Sequence, residues 1–318
     1  MSTANPEKRR IGSLEVSVVG LGCNNFGNRL DYNATAEVIH AALDAGINYL
    51  DTADKYGGTK SEEFIGRALH SRRADAIIAT KFGSPIDDKH KGAKPDYVRR
   101  ACDDSLKRLA TDYIDLYQLH RPDSSTPIAD TLGAMDELVR AGKVREIGCS
   151  NFSVEQLREA NSAVLPGKAH FVSVQNGYSL LDRDPERGVI PECRRLGIVF
   201  IPFFPLASGL LSGKYRRGKV APAGSRLTSA VHGHLLNDRN LEIVESLIAF
   251  AETRGRTILE MAISWILRHD VVASVIAGAT LPDQVRANAA SAGWKLTEEE
   301  LAEIDSILTS ADLPDVPF

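Results

Sequence analysis

The chain has 318 residues, of which 43% are apolar and 25% charged, and a formal net charge of −4. That size suits one large α/β domain or two small ones, and so slight a charge imbalance implies no broad nucleic-acid footprint. No apolar run approaches the roughly 20 residues of a membrane span, and Met1 to Arg10 is polar with no apolar leader core, so a cytoplasmic protein is expected. Cys23, Cys102, Cys149 and Cys193 are scattered and form no C-x-x-C pair. This argues against a zinc site and a disulfide framework, and for small buried thiols.

In chain order, residues 1–15 are expected to form a small hairpin turning near Gly12-Ser13. Eight short apolar runs follow, near Val16–Gly20, Ile47–Leu50, Ala76–Thr80, Tyr113–Leu119, Val144–Cys149, Phe171–Val174, Ile198–Pro202 and Val271–Ile276. Helix signals fall between them. Thr126 reads as an N-cap with Pro127 in the first turn, Ser153 with Gln156 reads as a capping box, and Gly46, Gly142 and Gly197 read as helix ends. Residues 207–236, rich in Gly, Ser, Lys and Arg, read as a long structureless binding loop or lid. Thr297 with Glu300 opens a last helix that packs through Leu301, Ile304 and Leu308.

Eight strand–helix alternations without a compositional linker predict an α/β fold of one (β/α)8 TIM barrel over residues 1–318, with an N-terminal hairpin and extra C-terminal helices. The alternative is an open doubly wound sheet. Against it, Gly20-Leu21-Gly22 runs into Cys23-Asn24-Asn25-Phe26 rather than opening a helix with G-x-G-x-x-G.

The functional signal lies at the ends of three runs. Ile47-Asn48-Tyr49-Leu50 ends in Asp51, with Tyr56 five positions on; Lys81 ends the third run and His120 the fourth. Successive strands are neighbours in a barrel, so Asp51, Tyr56, Lys81 and His120 are expected to converge at the face where barrel chemistry collects. Each alone reads as structural: a helix cap, a loop aromatic, a surface charge, a core histidine. Together they form a proton-delivery set. A phenol is too weak an acid at neutral pH unless a cation favours phenolate, which Lys81 supplies; Asp51 keeps that ammonium charged, and His120 orients the oxygen being protonated. The set carries no hydride, so it requires a cofactor.

These stretches resemble the aldo-keto reductase family. The resemblance rests on Asp51-Thr52-Ala53-Asp54-Lys55-Tyr56-Gly57, Ala79-Thr80-Lys81-Phe82-Gly83, Leu119-His120-Arg121-Pro122-Asp123, Ile147-Gly148-Cys149-Ser150-Asn151-Phe152, Val174-Gln175, Leu211-Ser212-Gly213-Lys214-Tyr215 and Gly278-Ala279-Thr280. The Ser-Gly-Lys-Tyr loop is most similar to the branch holding bacterial reductases and potassium-channel β-subunits. Membership implies the barrel, an extended nicotinamide cofactor, usually NADP(H), and metal-free reduction of a small-molecule carbonyl substrate, with the four roles above on Asp51, Tyr56, Lys81 and His120. It implies that Ser150, Asn151 and Gln175 hold the carboxamide, that Phe203 stacks on the nicotinamide, and that Lys214 and Arg226 reach the 2′-phosphate. Further cofactor contacts are implied for Pro205, Leu206, Ser208, Leu210, Gly278, Thr280, Gln284 and Asn288. One departure is Ala287 before Asn288, where the family commonly has a glutamate for the adenine amino group.

A binding protein that uses bound NADPH as a sensor is the other reading. The channel subunits depart from the family at the position of His120 and this chain does not, which favours the enzyme. The substrate rim is expected to include Asn24, Asn25, Phe26, Lys55, Phe82, Arg121 and the loop Ser84–Lys94. This mixture hints at hydroxylated or anionic aldehydes, although the charges of Ser84–Lys94 read as a solvated run.

Overall fold

Runs such as Ile77–Phe82 and Ile114–Leu119 are buried at nearly every position, as a strand covered on both faces must be. The computed structural model describes residues 7–229 and 233–310. It begins with an antiparallel hairpin, β1 (Lys8–Ile11) and β2 (Leu14–Ser17), joined by the two-residue turn Gly12-Ser13. Residues 1–6 of the expected hairpin segment lie outside the described residues. Eight parallel strands follow: β3 (Val19–Gly22), β4 (Tyr49–Asp51), β5 (Ile77–Phe82), β6 (Ile114–Leu119), β7 (Val144–Ser150), β8 (Phe171–Gly177), β9 (Val199–Phe203) and β10 (Val275–Gly278).

Their order is β10-β3-β4-β5-β6-β7-β8-β9. The ring is brought nearly to closure where Phe200 N–H donates to Val271 O at 2.8 Å and Ala273 N–H donates to Phe200 O at 3.1 Å. The expected barrel is therefore the observed one. Around it run α1 (Tyr32–Asp44), α2 (Lys60–Leu69), α3 (Pro95–Leu109), α4 (Ile128–Arg140), α5 (Val154–Ser162), α6 (Val189–Leu196), α7 (Asp238–Glu252), α8 (Ile258–Leu267), α9 (Pro282–Ala290) and α10 (Glu298–Ser310). Side chains alternate along each strand, so there are two apolar layers. The larger lies between sheet and helices. The smaller fills the barrel floor, where Ile11, Leu14 and Val16 of the hairpin pack on Tyr49, Ala79, Leu116, Ile201, Ala273 and Ile276.

Local signals set most boundaries. The Ser153–Gln156 capping box is present, as is the reciprocal pair of Thr297 and Glu300, and Ile304 and Leu308 of α10 are buried. Four expectations need correction. The run Val16–Gly20 is divided between β2 and β3, because Ser17 breaks the chain direction with its Oγ donating to Val19 O at 2.7 Å. The run Val271–Ile276 is likewise shared: its first half pairs with β9, its second half begins β10. Thr126 does not cap α4, because its hydroxyl donates to Asp123 instead, at 2.9 Å, and Pro127 precedes the helix. The described part of residues 207–236 is not structureless. It contains short 3-10 turns at Ala207–Ser212, Arg226–Thr228 and Gly233–Leu235, pinned by the buried Leu210, Leu211, Tyr215, Leu227 and Leu235. Residues 230–232 of that segment lie outside the described residues.

Candidate active site

At the carboxyl ends of β4 and β5 a buried ion pair forms the floor of a cleft. Lys81 Nζ donates to Asp51 Oδ1 at 2.6 Å and to Thr52 O at 2.7 Å, and both side chains are almost wholly buried. The other carboxylate oxygen, Asp51 Oδ2, accepts from Gln175 Nε2 at 2.7 Å, with Gln118 Nε2 at 3.5 Å. A buried charge needs this degree of satisfaction. Gly148 makes room for the arrangement: a Cβ there would stand 2.5 Å from Ser173 Oγ and 3.4 Å from Gln118 Cγ.

Tyr56 and His120 meet above the pair, their ring centroids 5.9 Å apart at 82°, and Lys81 Nζ lies 5.2 Å from the tyrosine ring centre. All four residues singled out by the sequence thus converge. Burial pulls the Lys81 ammonium down, but Asp51 and Tyr56 outweigh it and its pKa lies above the usual lysine value. For Tyr56, burial raises the pKa, Lys81 lowers it and Asp51 raises it again, with a net rise. The attraction of Lys81 that was expected to favour phenolate is present, but burial is larger, so the phenol keeps its proton. His120 is pushed down to about 2, by burial first and then by Lys81, Lys55 and Arg121, so its ring is neutral. Its Nδ1 is buried without a hydrogen-bond partner among the described residues. An orphaned N–H there would be costly, which puts the proton of the neutral ring on Nε2.

The cleft above has a volume of about 300 Å³. Ser150, Asn151 and Gln175 form one wall; Phe203, Pro205, Leu206 and Ser208 a second; Gly278, Thr280 and Gln284 a third, and Lys214 and Arg226 reach in from the long loop. Leu210 and Asn288 do not line it; both are buried beneath the surface. Asn151 is left-handed at φ +61°, and its Nδ2 donates to His120 O at 2.9 Å and Ser150 Oγ at 3.0 Å. With the amide nitrogens of Asn151 and Gln175 so engaged, their amide oxygens are the acceptors left for a ligand's N–H groups.

At the other end of the cleft, Phe204, Ala207 and Ser208 all have positive φ, a strained turn of the kind kept where function requires it. Such turns aim backbone N–H groups at an anion. Gly209 completes this one, and a Cβ there would approach Lys214 Nζ to 3.2 Å. Arg226 Nη2 donates to Asn24 Oδ1 at 3.3 Å and Asn25 Oδ1 at 3.0 Å, and Arg29 Nη2 donates to Gly224 O at 2.5 Å, so the loop straps across to the β3–α1 connection. Acceptors for an amide at one end, an aromatic between, and cations with a backbone cradle at the other fit an extended nicotinamide dinucleotide.

Of the expected rim, Asn24, Asn25 and Arg121 line the cleft, whereas Phe26, Phe82, Lys55 and the loop Ser84–Lys94 do not. Phe82 points outward to stack on Tyr117 at 4.7 Å, because Lys81 takes the inward position beside it, and Phe26 is fully buried. Arg29 and Phe204 line the cleft and were not foreseen. Arg29 sits in an ordinary polar loop and is brought in only by the strap.

The Aldo/keto reductase family model matches residues 18–309. The chain belongs to this family. A probable aldo-keto reductase 1 from Glycine max is 36% identical, covering 97% of this chain and 90% of that protein. The aldo-keto reductase YhdN from Bacillus subtilis is also 36% identical, covering 93% and 91%. Among solved structures, the glycerol dehydrogenase from Gluconobacter oxydans superposes with a TM-score of 0.83 at 30% identity, covering 100% of this chain and 99% of that one. The holo form of an aldo-keto reductase from Bacillus halodurans gives 0.78 at 35% identity, covering 95% and 96%. Members of the family are oxidoreductases of carbonyl compounds and generally use nicotinamide cofactors. No helix among the described residues is long and apolar enough to cross a membrane.

Proposed function

We propose that this protein reduces an aldehyde or ketone to an alcohol with NADPH, acting as a single barrel domain over residues 1–318 in the cytoplasm. The observation that carries the reading is the edge-to-face pair of Tyr56 and His120 beside a lysine clamped between Asp51 Oδ1 and Thr52 O. Tyr56, protonated because it is buried, gives its hydroxyl proton to the carbonyl oxygen as negative charge develops there. Lys81 stabilises the phenolate left behind, and Asp51, held by Gln175, keeps the ammonium charged. His120 donates from Nε2 to the same oxygen and fixes its place. A bound nicotinamide cofactor would supply the hydride. Asn151 and Gln175 would accept from its carboxamide, Phe203 would offer a ring face, and Lys214 with Arg226 would meet a 2′-phosphate.

The test is oxidation of NADPH by purified protein with 4-nitrobenzaldehyde, in wild type and in Tyr56→Phe. Losing the proton donor should lower turnover by about 10² to 10⁴ with cofactor affinity nearly unchanged. A variant that keeps more than about a tenth of wild-type turnover, with chemistry rate-limiting, overturns the role of Tyr56.

A further inference from the structure

The lining of the cleft is cationic. Arg29, Arg121, Lys214 and Arg226 line it against the single carboxylate of Asp51, whose oxygens are taken by Lys81 and Gln175. This excess arises in a chain whose formal charge is −4. Lys214, Arg226 and Arg29 stand on or against the strap, where the phosphates of a dinucleotide neutralise them. Arg121 stands elsewhere: it follows His120 at the end of β6, as Lys55 precedes Tyr56 after β4. Both are exposed, and both lie close enough to His120 to oppose its protonation.

Neither side chain makes a hydrogen bond or ion pair among the described residues. Two unpaired cations flank the proton donor and its orienting histidine. We infer that Lys55 and Arg121 form an anion site beside the reacting carbonyl, and that the substrates are aldehydes or ketones carrying a carboxylate or phosphate. A planar guanidinium beside a flexible ammonium suits either anion. The carbonyl end of the substrate sits on Tyr56 and His120 and the charged end is drawn to the rim, which fixes orientation as well as affinity. The inference rests on the reductase reading above.

The experiment compares matched pairs: 4-carboxybenzaldehyde with its methyl ester, and glyceraldehyde 3-phosphate with glyceraldehyde, at low and high salt. The anionic member of at least one pair should be preferred by about tenfold or more in kcat/KM, mainly through KM, and the preference should shrink with salt. Which pair responds distinguishes carboxylate from phosphate. In Lys55→Gln and Arg121→Gln the ratio within that pair should fall towards unity. Equal kcat/KM within both pairs, or a preference that survives both substitutions, overturns the anion site while leaving the reductase reading intact. If none of the four is turned over, the reductase reading fails, and calorimetric titration with benzoate and benzamide still decides the anion site. Tighter binding of benzoate, lost in Arg121→Gln, supports it; equal binding sinks it.

Discussion

Asp54, two residues before the candidate proton donor, is 1% exposed, and among the described residues no side chain hydrogen-bonds to either carboxyl oxygen, the nearest polar group being the Lys55 backbone N–H. Its backbone N–H donates to Lys81 O at 3.0 Å, so the chain pins the residue in place while its side chain points away from the cleft, towards the helices. Burial, then the charge of Glu62, raises its pKa from 3.8 to about 7, against smaller opposing pulls from Arg108 and Lys55. The folded chain therefore holds a proton that the unfolded chain has released. Below pH 3.8 both states are protonated and this group is neutral towards folding; as pH rises from there to about 7 the folded state loses stability, and above that the loss is complete. The full difference corresponds to about 4 kcal/mol as a ceiling. Asp54→Asn has the same shape and cannot ionise. Its stability relative to wild type should rise steadily from pH 4 to pH 7 and level off by pH 8, gaining up to about 4 kcal/mol over that range. Any cost of burying the new amide is constant with pH and shifts the curve without bending it. Urea denaturation of both proteins at each pH measures this. A difference constant within about 1 kcal/mol from pH 4 to pH 8 would show that Asp54 is ionised in the fold throughout, and would refute the reasoning.

Three further outcomes are expected. Lys81→Met and Asp51→Asn should each alter the pH dependence of reduction, and the double variant should lose little more than the worse single one, because ion-pair partners act as a unit; additive losses would break the chain from Asp51 to Tyr56. With His120 already neutral far below physiological pH and the Tyr56 phenol raised by burial, kcat/KM for reduction should be flat from about pH 5.5 to 9 and fall only on the alkaline side as the phenol ionises; an acid limb near the usual histidine value that disappears in His120→Asn would contradict this. Lys214→Ala with Arg226→Ala should remove a preference for NADPH over NADH of roughly a hundredfold, measured as dissociation constants by fluorescence quenching, and a preference that survives would mean the strap does not read the phosphate.

The barrel was legible because doubly buried strands advertise themselves: Ile77–Phe82 and Ile114–Leu119 are mostly apolar, with Lys81, Asp115 and Gln118 among the polar exceptions, and Ser153 and Thr297 carry their partners three residues on. Strand limits were legible only in part. Residues Val16 and Val19 are equally apolar, yet one plugs the barrel floor and the other belongs to its wall; hydrophobicity alone does not reveal the turn at Ser17. Thr126 failed as a cap because Asp123 competes for its hydroxyl, a choice of local geometry that no residue type fixes. Asp51, Lys81 and His120 were found by their place at strand ends. What sequence could not supply was burial, and burial decides the sign for Tyr56, which ends above rather than below its usual value. The same lack hid Asp54, an apparently ordinary loop aspartate, and Arg29, which is recruited by a segment some two hundred positions away.

Closure of the ring rests on Phe200, whose two backbone hydrogen bonds to Val271 and Ala273 replace a full ladder between β9 and β10. The two long walls of the cleft hang on opposite sides of this seam, Phe203 at the end of β9 and Gly278 at the end of β10. Asp51, Lys81 and His120 stand across the barrel, on β4, β5 and at the end of β6, where the ladders are continuous. The sparsest stretch of the ring's hydrogen bonding thus lies between the two open walls of the cleft, and the continuous stretch lies behind Asp51, Lys81 and His120.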